Sequence, residues 1–251
     1  MKMTGNTILI TGGGSGIGRG LAEEFHKLGN QVIIAGRRKQ VLEETVAANP
    51  GMKFATLDIQ DADSIRGFAA QVTRDFPALN VLINMAGIMR AEKLLAQNLA
   101  DAEAIVATNL LGPIRMTTAL LPLLQMQAQA TIVNVTSGLA FLPLAMTPTY
   151  CATKAALHSY TLSMRYQLKA TKIEVLELIP PYVATDLMSG ASDPRAMPLK
   201  DYIAEVMEIL KAQPTPPEIC VERVKMLRFA AESGKFEVQF KGLNDAMADI
   251  H

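Results

Sequence analysis

Short apolar runs alternate with longer segments of helical periodicity through the first 180 or so residues of the chain. The runs are rich in Val, Ile and Leu throughout their length, which is typical of strands that are covered on both faces. Because strands of this kind alternate with helices, the pattern predicts a doubly wound, parallel α/β sheet of the Rossmann type, with about seven strands and helices on both faces. The predicted strands cover residues 7–10, 31–35, 53–57, 81–84, 131–135 and 173–179, and the predicted helices cover 17–28, 39–48, 64–76, 99–127 and 149–170.

The alternation breaks down after residue 179, where several prolines fall among small and polar residues. Such composition is typical of loops, and it predicts a lid-like loop over about 186–205. Helical periodicity then predicts a helix over about 217–232, which ends before Gly234. The alternating apolar residues of 236–240 predict a last strand.

Length and charge limit the classes of function. A chain of 251 residues with one continuous α/β pattern is expected to form a single domain over residues 1–251. Lys plus Arg and Asp plus Glu number 24 each, so no global field attracts nucleic acid or an anionic membrane. No run reaches the about 18 apolar residues that a membrane span needs, and the first apolar run is too short for a signal peptide. We expect neither a nucleic-acid nor a membrane partner.

The two cysteines, Cys151 and Cys220, are too few for a disulfide framework. Neither lies in the Cys- and His-rich spacing that a structural metal requires, so no metal site is predicted. This cysteine usage favours a reducing, cytoplasmic location.

A glycine cluster follows the first predicted strand directly and opens the first predicted helix. Glycines let the backbone approach a pyrophosphate, whose charge is stabilised by the free N–H groups at a helix N-terminus. A tight turn in a purely structural protein also selects glycine, but the strand-to-helix setting favours a dinucleotide site. The residues assigned to this phosphate site are Gly12, Ser15, Gly16, Ile17 and Gly18.

The residues after the second predicted strand bear on the choice of dinucleotide. An acidic residue about 20 positions past the glycines usually binds the ribose of NAD, whereas an arginine there accommodates the 2′-phosphate of NADP. This chain has Gly36-Arg37-Arg38 at that place. Arg37 and Arg38 therefore predict NADP, with NAD as the alternative if the two arginines only begin a solvated helix.

Tyr150 and Lys154 are four residues apart in a predicted helix, so both project from one face. Lowering a tyrosine pKa from near 10 by about three units requires roughly 4 kcal/mol. An ammonium about 4 Å away supplies roughly that energy at an effective dielectric of 20, so the lysine together with the positive nicotinamide ring of a bound cofactor could make this tyrosine an acid/base. By itself, however, a Tyr-x-x-x-Lys spacing also arises by chance in many helices. His158 could share that face, but a single histidine without a partner carboxylate at helical spacing is more often packed or surface-exposed than a base. Cys151 is adjacent to the tyrosine, and we interpret it as a small core residue.

Further short motifs accompany the glycine cluster and the Tyr-Lys pair. The full set is Gly12-x-x-x-Gly16-x-Gly18, Asp58-Ile59, Asn84-Met85-Ala86-Gly87, Asn109, Ser137-Gly138 and Tyr150-x-x-x-Lys154. Taken together, these motifs resemble those of the short-chain dehydrogenase/reductase family over nearly the whole chain. The chain differs from the family pattern at Met85 and Pro181, where Asn and Gly are usual, and neither position holds a reacting group.

The resemblance implies an oxidoreductase that transfers a hydride between a nicotinamide cofactor and a carbonyl or secondary alcohol. It implies that Tyr150 exchanges a proton with the substrate oxygen, Ser137 holds that oxygen, and Lys154 lowers the tyrosine pKa and binds the nicotinamide ribose. It also implies that Asn109 bends its helix and anchors a water near Lys154. The cofactor contacts implied in addition to the glycine loop and the arginines are Asp58, Ile59, Asn84, Ala86, Gly87, Tyr150, Lys154, Pro180, Val183 and Thr185.

Residues 139–147 are nearly all apolar, which is consistent equally with a substrate pocket, a cover for the sheet or a subunit contact. The helices over 99–127 and 149–170 carry apolar residues beyond one stripe, which favours a homodimer, with a tetramer as the alternative. Two other functions stay open, a redox sensor without turnover and a nucleotide-sugar epimerase or dehydratase. Residues 135–187 also resemble the DltE-like subgroup, named for an association with teichoic-acid D-alanylation, but they indicate no particular substrate.

Overall fold

The structure is a computed structural model that describes residues 1–96, 99–188 and 193–247. Seven parallel strands form one sheet in the order β3-β2-β1-β4-β5-β6-β7, which confirms the predicted doubly wound fold. The chain moves outward from β1 to β3 and then returns to the other side of β1, so a crevice opens where the carboxyl ends of β1 and β4 meet. The strands are β1 (Thr7–Thr11), β2 (Gln31–Gly36), β3 (Lys53–Thr56), β4 (Leu79–Asn84), β5 (Ala130–Val135), β6 (Ile173–Leu178) and β7 (Glu218–Ile219).

Helices cover both faces of the sheet, and this explains why the strands are apolar throughout. In β1, Ile8 and Ile10 join one buried cluster while Leu9 joins the other, and all three are fully buried. Each such side chain stabilises the fold by about 1.5–3 kcal/mol relative to an exposed position. The helices are α1 (Gly16–Lys27), α2 (Lys39–Ala48), α3 (Ala62–Asp75), α4 (Leu99–Val106), α5 (Gly112–Gln125), α6 (Pro148–Leu168), α7 (Leu199–Lys211), α8 (Glu222–Arg228) and α9 (Phe236–Met247).

The long helix predicted over 99–127 is interrupted by a π-helical turn, Ala107–Leu111, between α4 and α5. By length and composition alone, Leu99–Gln125 could cross a membrane, but core helices pass the same test. Met116, Leu120 and Leu124 are buried in the cluster between α5 and the sheet, as in a core helix.

The C-terminal predictions need correction. Residues 236–240, predicted as a strand, belong to helix α9, where the rings of Phe236 and Phe240 stack one turn apart with centroids at 5.9 Å. The helix predicted over 217–232 is shorter in the structure. Strand β7 comes first, and its Ile219 pairs with Leu178 of β6; helix α8 follows over Glu222–Arg228. Alternation over a few residues does not separate a strand from one face of a helix, and here tertiary packing decides.

The lid-like loop predicted over 186–205 ends earlier in the structure. Helix α7 begins at Leu199, and the burial of its apolar face stabilises it: Tyr202 and Val206, four residues apart, are fully buried. Before it, Asp186–Met188 form a single 3-10 turn, and residues 189–192 lie outside the described part of the chain.

Candidate active site

The glycine loop between β1 and α1 depends on glycine at three places. Gly12 and Gly16 adopt positive φ values of 71° and 52°, which side chains other than glycine rarely allow. A Cβ on Gly18 would lie 2.4 Å from the Gly12 carbonyl oxygen, and one on Gly12 would lie 2.9 Å from Cα of Ala86. The loop therefore presents bare backbone at the N-terminus of α1, which fits the pyrophosphate of a dinucleotide.

Thr11 fixes the position of the loop that follows β4, and the sequence analysis did not identify this residue. Its hydroxyl oxygen accepts hydrogen bonds from the backbone N–H of Met85 at 3.1 Å and of Ala86 at 3.2 Å. The side chain is almost fully buried at the last residue of β1. Its place directly before the glycines was the available signal.

Arg38 lies against the glycine loop. Its guanidinium donates to the Ser15 hydroxyl at 2.9 Å, and the neighbouring Arg37 is exposed at the carboxyl end of β2. The structure therefore brings two positive charges to the side of the loop where an adenosine ribose is held in dinucleotide folds.

The residues predicted after β3 differ in exposure. Asp58 is exposed, and its carboxylate accepts from the backbone N–H of Gln60 at 3.0 Å. Ile59 is buried against the start of α5, where a Cβ on Gly112 would come within 2.6 Å of it. Of this pair, only Asp58 presents its side chain to solvent.

Asn84 turns its side chain into the interior between the sheet and α5. Its amide donates to Asn134 at 2.9 Å and to Thr117 at 3.1 Å, so both amide hydrogens are used inside the protein. Gly87 lies beside Asn109 and α6, since a Cβ there would be 3.4 Å from Oδ1 of Asn109 and 3.7 Å from Nζ of Lys154.

Ser137, Tyr150 and Lys154 come together at the carboxyl end of β5. Ser137 follows that strand, and the other two lie one turn apart on α6. The Ser137 and Tyr150 side chains are hydrogen bonded, and all three residues are buried. Nζ of Lys154 lies 5.6 Å from the centroid of the Tyr150 ring and donates to the Val135 carbonyl at 2.7 Å.

Burial dominates the ionisation of this group. It raises the pKa of Tyr150 to about 12, which outweighs the hydrogen bond to Ser137 that lowers it. Burial also lowers the pKa of Lys154 to about 8. In the protein alone, the pKa of Tyr150 therefore lies above its usual range; the sequence analysis assigned the lowering of this pKa to Lys154 together with the positive nicotinamide ring of a bound cofactor.

Asn109 occupies the π-helical turn between α4 and α5, in agreement with the helix irregularity that the resemblance implied. Its amide clamps the backbone of Ile88, because Oδ1 accepts from the N–H at 2.9 Å and Nδ2 donates to the carbonyl at 2.9 Å. Nδ2 also lies 3.4 Å from the Thr153 hydroxyl on α6. Asn109 thus joins the loop after β4 to the helix that carries Tyr150.

The segment after β6 folds back toward the glycine loop. The carbonyl of Pro180 accepts from the N–H of Gly138 at 2.9 Å, and Thr185 would be 3.3 Å from a Cβ on Gly16. Val183 is buried in the core, so its predicted contact with a cofactor would have to come from its backbone.

His158 has a partner that sequence spacing could not show. Its Nδ1 lies 2.9 and 3.0 Å from the two carboxylate oxygens of Glu177 on β6. The sequence analysis considered only carboxylates at helical spacing from His158, and the partner comes instead from a different element. Cys151 is a buried packing residue as expected, and burial raises the pKa of its thiol.

The apolar stretch after Ser137 divides between two roles. Leu144 and Met146 form a cluster with Tyr150, whereas Leu142 is fully buried. Leu243 and Met247 of α9 complete the cluster around the tyrosine, a contribution missed because the predicted strand ended at residue 240 and no helix was expected there. The surroundings of the Tyr150 ring are therefore largely apolar.

Comparison with known proteins agrees with this geometry. A family model described as short chain dehydrogenase matches residues 6–196. An uncharacterized oxidoreductase, DltE, of Bacillus subtilis (strain 168) is 40% identical over 241 residues, covering 93% of this chain and 94% of that protein. An NADP-dependent 3-hydroxy acid dehydrogenase of Schizosaccharomyces pombe is 34% identical over 193 residues, covering 74% of each chain. The closed form of a serine dehydrogenase complexed with NADP+ has a TM-score of 0.75 at 25% identity, covering 82% of this chain and 89% of that one. The chain therefore belongs to the short-chain dehydrogenase/reductase family of oxidoreductases.

Proposed function

We propose that the protein transfers a hydride between NADP and a carbonyl or secondary alcohol substrate, with Tyr150 as the acid/base. The observation that carries the proposal is the meeting of Ser137, Tyr150 and Lys154 at the edge of the glycine-lined crevice. The bound nicotinamide supplies or accepts the hydride, and the residues of this chain position the substrate and move the proton.

In this proposal, Tyr150 Oη donates a proton to the substrate oxygen when a carbonyl is reduced. A phenol with a pKa of about 12 is protonated at neutral pH, so the ground state is ready for donation. The Ser137 hydroxyl stabilises the charge that develops on the same oxygen. Lys154, whose pKa of about 8 leaves it largely charged at neutral pH, favours the phenolate that results. The reverse sequence would oxidise an alcohol.

The preference for NADP rests on Arg37 and Arg38. A guanidinium binds a phosphate through charge-assisted hydrogen bonds, and Arg38 is already placed against Ser15 of the glycine loop. The Schizosaccharomyces pombe relative, which is named as NADP-dependent, supports the same preference. Titration with both dinucleotides tests it, since equal catalytic efficiency with NADPH and NADH would contradict it.

The apolar surroundings of Tyr150 support a substrate with an apolar group beside its carbonyl. Leu139, Leu144, Met146, Leu243 and Met247 pack on the cluster that contains the tyrosine. A panel of aldehydes and ketones that differ in chain length and charge, followed at the absorbance of the reduced nicotinamide, would identify the preferred class.

The variant Tyr150→Phe tests the acid/base assignment directly. We expect turnover to fall by about 10²- to 10⁴-fold while NADPH affinity is retained, because only the proton donor is lost. Tyr160→Phe, a half-buried tyrosine of the same helix, serves as the matched control and should keep wild-type turnover. Near-normal turnover of Tyr150→Phe would refute the assignment, and wild-type binding of NADPH without turnover of any carbonyl would favour a redox sensor.

We also propose a cytoplasmic homodimer. Exposed apolar side chains lie on the long helices, with Leu99 at 66% exposure, Leu162 at 44% and Tyr166 at 68%. Surface of this kind favours association with a second copy. Light scattering that returns the mass of a monomer would contradict the dimer.

A further inference from the structure

Three successive turns of α6 are connected by hydrogen bonds to three successive residues, the last residue of β5 and the two that follow it. Tyr150 is bonded to Ser137, and Lys154 is bonded to the Val135 carbonyl. The third connection, from His158 to Thr136, is indirect and runs through the carboxylate of Glu177 on the neighbouring strand β6.

The carboxylate of Glu177 is completely buried, with 0% of the side chain exposed. Its Oε1 accepts from the Thr136 hydroxyl at 2.7 Å, and both oxygens lie within 3.0 Å of His158 Nδ1. Removing a carboxylate from water costs several kcal/mol, which hydrogen bonds and a partner offset only in part. An apolar residue would occupy the same space at a lower desolvation cost, so packing alone does not explain the presence of Glu177.

His158 is held in place from its other side as well. The edge of its ring meets Phe141 at a centroid distance of 4.6 Å, and the guanidinium of Arg228 lies 4.4 Å over the same phenylalanine. Arg228 also donates twice to Glu218 of β7, at 2.8 and 3.1 Å. His158, Glu177 and Glu218 place ligand atoms within 4.8 Å of one another, as a metal ion would require, but Arg228 already neutralises Glu218.

We propose that Glu177 is a positioning residue for the reaction, through Thr136 on one side and His158 on the other. Its carboxylate fixes how far α6 lies from the end of β5, and therefore how Tyr150 and Lys154 face Ser137. Hydrogen bonds to a charged group are short and directional, so they define this spacing more narrowly than apolar contacts do. The inference rests on the proposed function, because it assigns Glu177 to the geometry of that same site.

Thr136→Val is the main test, because it removes one hydroxyl from the bridge and keeps the shape of the side chain. We expect kcat to fall on the order of tenfold or more, since small misplacement of reacting groups is costly. KM and the NADPH dissociation constant should stay within about twofold, because the proposal gives the bridge no direct contact with substrate or cofactor. The deuterium isotope effect on kcat with deuterated NADPH should rise as the chemical step becomes slower.

Two substitutions of Glu177 and one matched control complete the experiment. Glu177→Leu should lower kcat further than Thr136→Val, and Glu177→Gln, which keeps an oxygen acceptor, should restore most of the loss. Glu174→Gln alters a carboxylate of the same strand at its opposite end, where Thr131 approaches it at 3.4 Å. The control should leave kcat and the isotope effect at wild-type values even if its melting temperature falls.

The outcomes separate this inference from the proposed function. Unchanged kcat in both Thr136→Val and Glu177→Leu, with an active wild type, would overturn the role of Glu177 and leave the proposed function intact. An equal loss of kcat in Glu174→Gln would also overturn it, because general destabilisation would then explain the result. A wild type that reduces no carbonyl of the panel would refute the proposed function, and this inference with it.

Discussion

Replacing Lys154 with Met should change how the stability of the protein depends on pH. Burial lowers the pKa of Lys154 from its usual 10.5 to about 8 in the folded state. At 1.36 kcal/mol per pH unit, this difference corresponds to about 3 kcal/mol. The folded state therefore carries that cost at every pH below about 8, where the lysine is charged in both the folded and the unfolded protein.

The direction of the effect follows from proton binding. Between pH 8 and 10.5 the unfolded state holds the lysine proton more strongly than the folded state, so the free energy of unfolding rises with pH. From pH 7 to pH 10 the wild type should gain about 2–3 kcal/mol relative to Lys154→Met, which has no proton to lose at this position. For a chain of this size the gain corresponds to a relative rise in melting temperature of about 4–12 °C.

Urea unfolding of wild type and Lys154→Met at pH 7, 8, 9 and 10 measures the difference, because all other titrating groups are common to both proteins. Lys172→Met, at an exposed position, is the matched control and should give a curve parallel to that of the wild type. Parallel curves for wild type and Lys154→Met would refute the reasoning, since they would mean that the buried lysine has an ordinary pKa. A rise in the free energy of unfolding of the wild type relative to Lys154→Met that occurs only below pH 8 would refute it as well.

Three further predictions concern the cofactor side of the crevice. Gly18→Ala should weaken NADPH binding and lower the free energy of unfolding by about 1–3 kcal/mol, because its Cβ would lie 2.4 Å from the Gly12 oxygen. Fluorescence titration measures the binding and urea unfolding the stability, and Gly67→Ala, at an open position of α3, is the control for both. Arg38→Ala should raise KM for NADPH by roughly 10- to 100-fold and leave KM for NADH unchanged, as expected for the loss of a charged hydrogen bond of about 1.5–3 kcal/mol. Thr11→Val should lower the free energy of unfolding by about 1–3 kcal/mol and weaken NADPH binding, because two backbone N–H groups lose their acceptor; unchanged binding would contradict its role in placing the loop after β4.

Features of this molecule that depend on neighbouring residues could be predicted from the sequence. Tyr150 and Lys154 share a helix face because they are four residues apart, and the glycine loop follows its strand directly. The alternation of strands and helices likewise predicted the sheet, since strands buried on both sides must be apolar throughout. In each case the pattern is local, and local patterns determine local geometry.

Features that depend on tertiary packing could not be predicted in this way. His158 and Glu177 lie 19 residues apart on different elements, so no spacing rule connects them. Residues 236–240 alternate like a strand, but they form part of helix α9, whose Leu243 packs against the cluster that contains Leu144 and Tyr150. The rise in the pKa of Tyr150 could not be predicted for the same reason, because the extent of burial follows from the complete fold and here outweighs the hydrogen bond to Ser137 that lowers the pKa.

The geometry of the site depends on a few buried polar side chains rather than on the apolar core. Hydrophobic burial is strong but non-directional, so it determines which elements pack together without defining the orientation of a reacting group. Thr11, Asn109 and Glu177 are almost completely buried, and each joins two elements at the carboxyl end of the sheet through bonds of 2.7–3.2 Å. Every such residue costs desolvation energy that an apolar residue would not. Asn109 and Glu177 each hydrogen bond to the helix that carries Tyr150, and this arrangement is explained by the narrow distances that proton transfer requires, which apolar packing alone does not impose.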